Sequence, residues 1–230
     1  VSESWPEPAD LALIRLLQLC SGSLPIGAFS FSQGIEWAVA AGWIRDEASL
    51  GGWLSDLAAT NLASVEIPLL ARLYRAVEAG DAQALDQGCQ WLLANRETSE
   101  LRDEERQRGR ALATLLVDLD LPRAREWRTS LASCQSAGFA LAAVGWGIPL
   151  PQAALGFAWG WLENLILAGV KLIPLGQTAG QRLLRDLGPV LVGAVGRGLT
   201  LTDAEVGASA PALAIASSRH PQQYCRLFRS

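Results

Sequence analysis

Residues 155–184, LGFAWGWLENLILAGVKLIPLGQTAGQRLL, decide how the rest of the chain is read. Apolar side chains fill almost every position up to Leu172. The spacing predicts a helix over residues 152–172 that is apolar all round, and such a helix belongs inside a fold. Glu163, Asn164 and Lys171 interrupt it. Glu163 and Lys171 are a little over two turns apart and share one broad side. A membrane span resists two charges near its middle, whereas the central helix of a bundle holds them if each has a partner. Gly156 and Gly160 predict a notch for a neighbouring backbone. Pro174 and Gly176 then end the helix, because proline lacks an N–H and glycine accepts positive φ. Gln177, Thr178 and Gln181 place polar groups just past the break.

Composition fits this picture. The chain has 230 residues, enough for one large domain or two small ones. A chain of this size buries about 70–75% of its unfolded surface and needs no staples. Half the residues are hydrophobic and only 18% are charged, which reserves surface for partners as well as core. A net charge of −4 argues against nucleic acid as a partner. Cys20, Cys89, Cys134 and Cys225 are far apart and form no CxxC, as expected of reduced cytosolic thiols. Nine tryptophans point to buried and interface positions. Residues 1–8 read as a loose leader, acidic and proline-containing, without signal-peptide character. The apolar run over 131–155 is cut by Gly145, Gly147, Pro149 and Pro151, so no membrane span is expected.

Periodicity predicts helices throughout. An amphipathic helix covers 9–19, and a shaped loop rich in Ser, Gly and Pro follows from residue 20. Helix resumes near Ser30 and stops at Gly42. Asp46 is placed to cap a helix over 47–60. Further helices are expected over 62–79, with Pro68 marking a kink or break, and over 82–94. Others follow over 97–119, 127–146, 177–187 and 189–198. Thr202 to Glu205 forms a capping box before an alanine-rich helix to about Ser217. With no alternating strand pattern, the expectation is an all-α single-domain bundle of roughly ten helices spanning 1–230, with residues 218–230 as a C-terminal docking tail.

Few residues could carry chemistry. The sole histidine, His220, sits ten residues from the last one, beside Pro221, too loosely placed for a triad. His220 and Cys225 are the only nearby pair of metal-ligand type. Two ligands do not close a site, though a symmetric dimer could double them for transient nickel or zinc. No P-loop or GxGxxG occurs. Asp103, Glu104 and Glu105 share their stretch with five arginines, at 96, 102, 106, 108 and 110, and read as a solvated, salt-bridged face. The tail combines Arg219, Arg226 and Arg229 with Tyr224, Leu227 and Phe228, the residue types of interface anchors.

Three stretches together resemble the urease accessory protein F family, UreF. The first is LLQLCSGSLPIGAFSFSQGIEWAVAAGWI, around Leu24-Pro25-Ile26-Gly27 and Gly34-Ile35-Glu36. The second runs from Glu163-Asn164 through Lys171 and Pro174-Leu175-Gly176-Gln177 to Gly180-Gln181. The third is the tail, Arg219-His220, Gln223-Tyr224, Arg226-Leu227-Phe228 and Ser230. Glu97, Leu101-Arg102, Glu105 and Gly109 also fit. Pro221 and Cys225 depart from the family pattern, which usually has an acidic residue and a serine there.

The resemblance implies an all-α, cytoplasmic, non-enzymatic homodimer that holds no tight cofactor and touches nickel only transiently. It implies that the chain binds UreD/UreH, recruits the GTPase UreG and helps deliver nickel to apo-urease. The expected partner-binding residues are Arg219, His220, Gln223, Tyr224, Arg226, Leu227, Phe228, Arg229 and Ser230. The tail is expected to order on binding, with Tyr224 and Phe228 as anchors. Glu36, Glu163, Asn164, Lys171, Pro174, Gly176, Gln177 and Gln181 are expected at an interface or channel. The alternative is a small-molecule enzyme using a buried Glu163–Lys171 pair. A membrane scaffold would need a basic amphipathic helix, and none is evident.

Overall fold

The computed structural model describes residues 9–208 and 210–230, so the leader over 1–8 lies outside the described residues. Among those residues there are helices and no strands. The helices are α1 (Ala9–Cys20), α2 (Ile35–Ala40), α3 (Glu47–Leu57), α4 (Ile67–Ala79), α5 (Ala82–Ala94) and α6 (Ser99–Asp118). They continue as α7 (Arg128–Ser133), α8 (Gln135–Gly145), α9 (Leu150–Leu172), α10 (Gln177–Thr200) and α11 (Pro211–Arg219). The fold is all-α, as the periodicity requires.

The quoted stretch forms α9, which packs against α1, α2, α4 and α10. Ala154, Ala158, Leu162, Leu165 and Ile166 are buried along it. It is long and apolar enough to cross a membrane, but half of it is buried inside the fold. Only part of the predicted notch is filled. A Cβ on Gly156 would lie 2.5 Å from Leu16 Cδ1 and 2.7 Å from Cys20 Sγ, so α1 sits directly on that glycine. Gly160 faces open space.

Five boundaries differ from the sequence expectation, and the simplest is the Thr202–Glu205 capping box, which opens only the short turn Asp203–Glu205 while α11 starts at Pro211. The loop after α1 runs on to Gly34, whose φ of 78° starts α2 late. A Cβ there would meet Ala216 Cβ at 2.9 Å and Ser217 N at 3.0 Å, so the turn lets α11 approach. Residues 47–79 form one continuous rod. Its middle, Ala58–Glu66, is a nine-residue π-helix directly before Pro68. The wider turn carries the rod past a residue that cannot donate and crowds the preceding turn.

The predicted helix over 127–146 breaks at Cys134, which is extended. Gly109 of α6 abuts this break, since a Cβ on it would lie 2.9 Å from Cys134 N. Glu105 Oε1 accepts from Gln135 N at 2.8 Å and Ser136 N at 3.4 Å, capping α8 from another helix. The two helices expected over 177–198 are instead the single α10, with Pro189 inside. Pro189 lies on the exposed side, where water can serve the carbonyl left without a donor.

Candidate partner-docking site

The tail is built into the body of the fold, and one carboxylate does most of the holding. Glu36 lies in the first turn of α2. Its Oε1 accepts from Leu227 N at 2.6 Å and its Oε2 from Phe228 N at 2.9 Å. The same Oε2 lies 2.9 Å from His220 Nε2, and His220 Nδ1 lies 2.9 Å from Glu100 Oε2 on α6. Arg226 donates to Glu100 Oε1 at 3.1 Å. Burial pushes the Glu36 carboxyl up, but the bonds from His220 and from the Leu227 and Phe228 amides outweigh it and hold it below the ordinary range.

The chain end is fixed in the same way. Ser230 O accepts from Ser32 N at 2.9 Å and Ser32 Oγ at 2.5 Å. Ser230 Oγ donates to Glu104 Oε2 at 3.0 Å. Arg229 N donates to Ser30 O at 2.8 Å, and its guanidinium to Gln107 Oε1 at 3.0 Å. Phe228 is buried, and Lys171 Nζ stands 5.7 Å from its ring centre and 5.6 Å from that of Phe29.

This arrangement corrects several expectations. The tail is ordered within the chain alone, because its backbone amides and its only imidazole are satisfied by buried carboxylates. His220, expected to be loosely placed, is 0% exposed. Phe228 is spent on the chain's own core and is not an outward anchor. His220 and Cys225, expected as a weak transient metal pair, differ in exposure. Both ring nitrogens face carboxylates, Cys225 points to solvent, and no group of three or more ligand-type side chains suited to a metal occurs among the described residues. What the folded tail presents outward is Tyr224 at 108% exposure and Leu227 at 66%, with Arg219, Arg226 and Arg229 exposed around them.

The second set of expected residues divides in two. Lys171, Pro174, Gly176, Gln177 and Gln181 are exposed at the α9–α10 break. Glu163 and Asn164 instead line a partly open chamber of about 60 Å³ with Gln33, Arg96, Glu105, Arg108 and Gly160. Glu163 and Lys171 therefore do not form a buried pair, which removes the basis of the enzyme alternative. Asn164 Nδ2 donates to Phe31 O at 3.2 Å, and its buried Oδ1 has no protein partner. Burial raises the Glu163 carboxyl. Burial and then the Glu163 charge push the Cys20 thiol up to about 12. Cys20, Gly156 and Glu163 also border an open apolar groove of about 630 Å³ between α1, α9 and α10. Leu17, Leu155, Trp159 and Val192 stand exposed along it.

Sequence reading missed the chamber's buried charges. Arg96 pairs with Glu66, from the π-helix, and its Nη2 donates to Glu105 Oε2 at 2.6 Å. Burial pushes the Glu105 carboxyl up, but Arg96, with Arg108 and the Gln135 amide, holds it below the ordinary range. The start of α6 is thus only partly a solvated face. Asp103 and Arg106 are exposed, whereas Glu104 and Glu105 are buried against the loop and the Cys134 break. The signal available in sequence was Gly109, four residues after Glu105, which marks the side of α6 that another backbone approaches.

Comparison with known proteins gives one consistent result. The UreF family model matches residues 44–188. A protein of Pseudomonas putida strain W619 named urease accessory protein UreF is 55% identical over 222 residues, covering 96% of this chain and 99% of that protein. Proteins of the same name from Alcanivorax borkumensis and Klebsiella pneumoniae strain 342 are 50% and 46% identical. They cover 95% and 94% of this chain, and 98% and 97% of their own lengths.

Proposed function

The chain belongs to the UreF family of urease accessory proteins, and on that premise we propose that it is a dimeric, non-catalytic cytoplasmic scaffold for urease maturation. It binds UreD/UreH through the folded tail, and the pair recruits the GTPase UreG to deliver nickel to apo-urease. The observation that carries this reading is the tail itself. Nine hydrogen bonds to Glu36, Glu100, Ser32, Glu104 and Ser30 hold a short segment whose apolar side chains Tyr224 and Leu227 project outward. A segment already ordered loses little entropy on binding, and an aromatic and an aliphatic group ringed by arginines suit an interface.

Two further features support the scaffold reading. The groove between α1, α9 and α10 is an apolar face of the kind a twofold contact buries, and the second copy of this chain is its assigned occupant. The chamber beside Glu163 and Asn164 supplies carboxylate and amide oxygens along a route for a hard or borderline divalent cation passing between partners.

Co-expression tests the proposal. The chain, a UreD/UreH protein and UreG should elute together in size exclusion with light scattering. The Tyr224→Asp, Leu227→Asp double variant should keep its helical circular dichroism and lose the complex. A complex that survives the double variant would overturn the assigned docking surface.

A further inference from the structure

We infer that the docking tail is proton-gated, held in its displayed form only while the His220 ring carries a proton on both nitrogens. The inference rests on reading the tail as the docking surface and adds its regulation.

His220 is 0% exposed, so no water completes its bonding. Its two nitrogens lie 2.9 Å from two different carboxylates, Glu36 on α2 and Glu100 on α6. A neutral imidazole has one N–H and one lone pair, so one of these contacts would set lone pair against carboxylate oxygen. The geometry places both carboxylates as acceptors. Glu36 accepts from the Leu227 and Phe228 amides, and Glu100 Oε1 accepts from Arg226, which are roles for ionised oxygens.

The ring therefore provides both donors. The charged groups gathered here are Glu36, Glu100 and Arg226, and with the imidazolium they balance two against two. Lys171 of α9 lies over Phe228, and Glu104 of α6 bonds Ser230.

Removing one ring proton leaves a buried carboxylate facing a lone pair. The lost contact is either Glu100, which also holds Arg226, or Glu36, which also holds the Leu227 and Phe228 amides. In both cases the segment that positions Tyr224 and Leu227 loosens. Rising pH thus converts a preordered docking surface into one that must be ordered on binding.

The chain has a single histidine, so ring-15N-labelled protein reports this site alone. The expected result at about pH 6 is one ring with both nitrogens protonated. On titration to about pH 9, loss of one ring proton should coincide with an at least tenfold fall in exchange protection of the Leu227 and Phe228 amides. A single-proton tautomer at about pH 6 would overturn the inference, as would amide protection that ignores the ring's titration. His220→Gln, with donors on one amide atom and only an acceptor on the other, should fold with low, pH-independent tail protection. A folded variant that kept the wild-type pH response would also overturn it. Should that variant not fold, the wild-type titration decides alone. No partner is needed for these readouts. A responsive tail whose Tyr224 and Leu227 variants still bind UreD/UreH would refute the docking surface and leave the gate standing.

Discussion

Glu36 and His220, 184 positions apart in sequence, meet at 2.9 Å and join the start of α2 to the tail. The same carboxylate takes the amides of Leu227 and Phe228, so one side chain holds the tail at three points.

Glu36→Gln keeps the shape and removes the charge. It should cost about 2–3 kcal/mol, the weight of charge-assisted hydrogen bonds to a buried acceptor, and lower Tm by several degrees. Hydrogen exchange should localise the loss to residues 219–230. A uniform loss across all helices would mean that Glu36 serves the core rather than the tail.

Acid should release the tail first. Glu36 has a carboxyl held down in the fold, so its contribution is present above the unfolded value of about 4.3 and is lost as pH falls through the lower folded value. Glu105 has the same sign. Denaturant midpoints should therefore fall progressively below about pH 4.5, and the drop should shrink in Glu36→Gln. Equal acid sensitivity in the two proteins would contradict the assignment.

Two glycines on core helices should respond oppositely. Gly109→Ala pushes a methyl into the backbone at Cys134, 2.9 Å away, and should destabilise by about 1–3 kcal/mol. Gly160→Ala meets nothing and should stabilise by up to about 1 kcal/mol through helix propensity. Thermal unfolding of the pair checks both signs.

The open space at Gly160 offers a test of the chamber as well. Gly160→Leu projects into it without a backbone clash. The variant should assemble with its partners yet activate apo-urease several-fold more slowly at limiting nickel. Wild-type activation rates would remove the chamber from the route.

Much of the fold was legible because helical periodicity and capping act locally. Asp46 accepts from Ser49 N at 2.8 Å, as its position before a helix implied. The failures arose where packing against other segments, or solvent, overrode the local signal. Nothing near Cys134 predicts its extended backbone, since the cause is Gly109 and Glu105 on another helix. Pro68 and Pro189 suggested breaks, but a π-helix precedes the first and solvent borders the second. At the docking site, the tail's composition pointed to an interface. Its order did not follow from composition, because Glu36, Glu100 and Glu104 supply the acceptors from distant segments. For the same reason, deleting the tail would also remove buried His220 and Phe228. Point variants at exposed positions are the cleaner probe.

The most direct measurement is the affinity of the chain for UreD/UreH, wild type against Leu227→Asp and Tyr224→Asp singly, at matched folding by circular dichroism. The account predicts that at least one exposed side chain is a hot spot costing 2 kcal/mol or more, about 30-fold or greater in Kd. Unchanged affinity in both variants would contradict it.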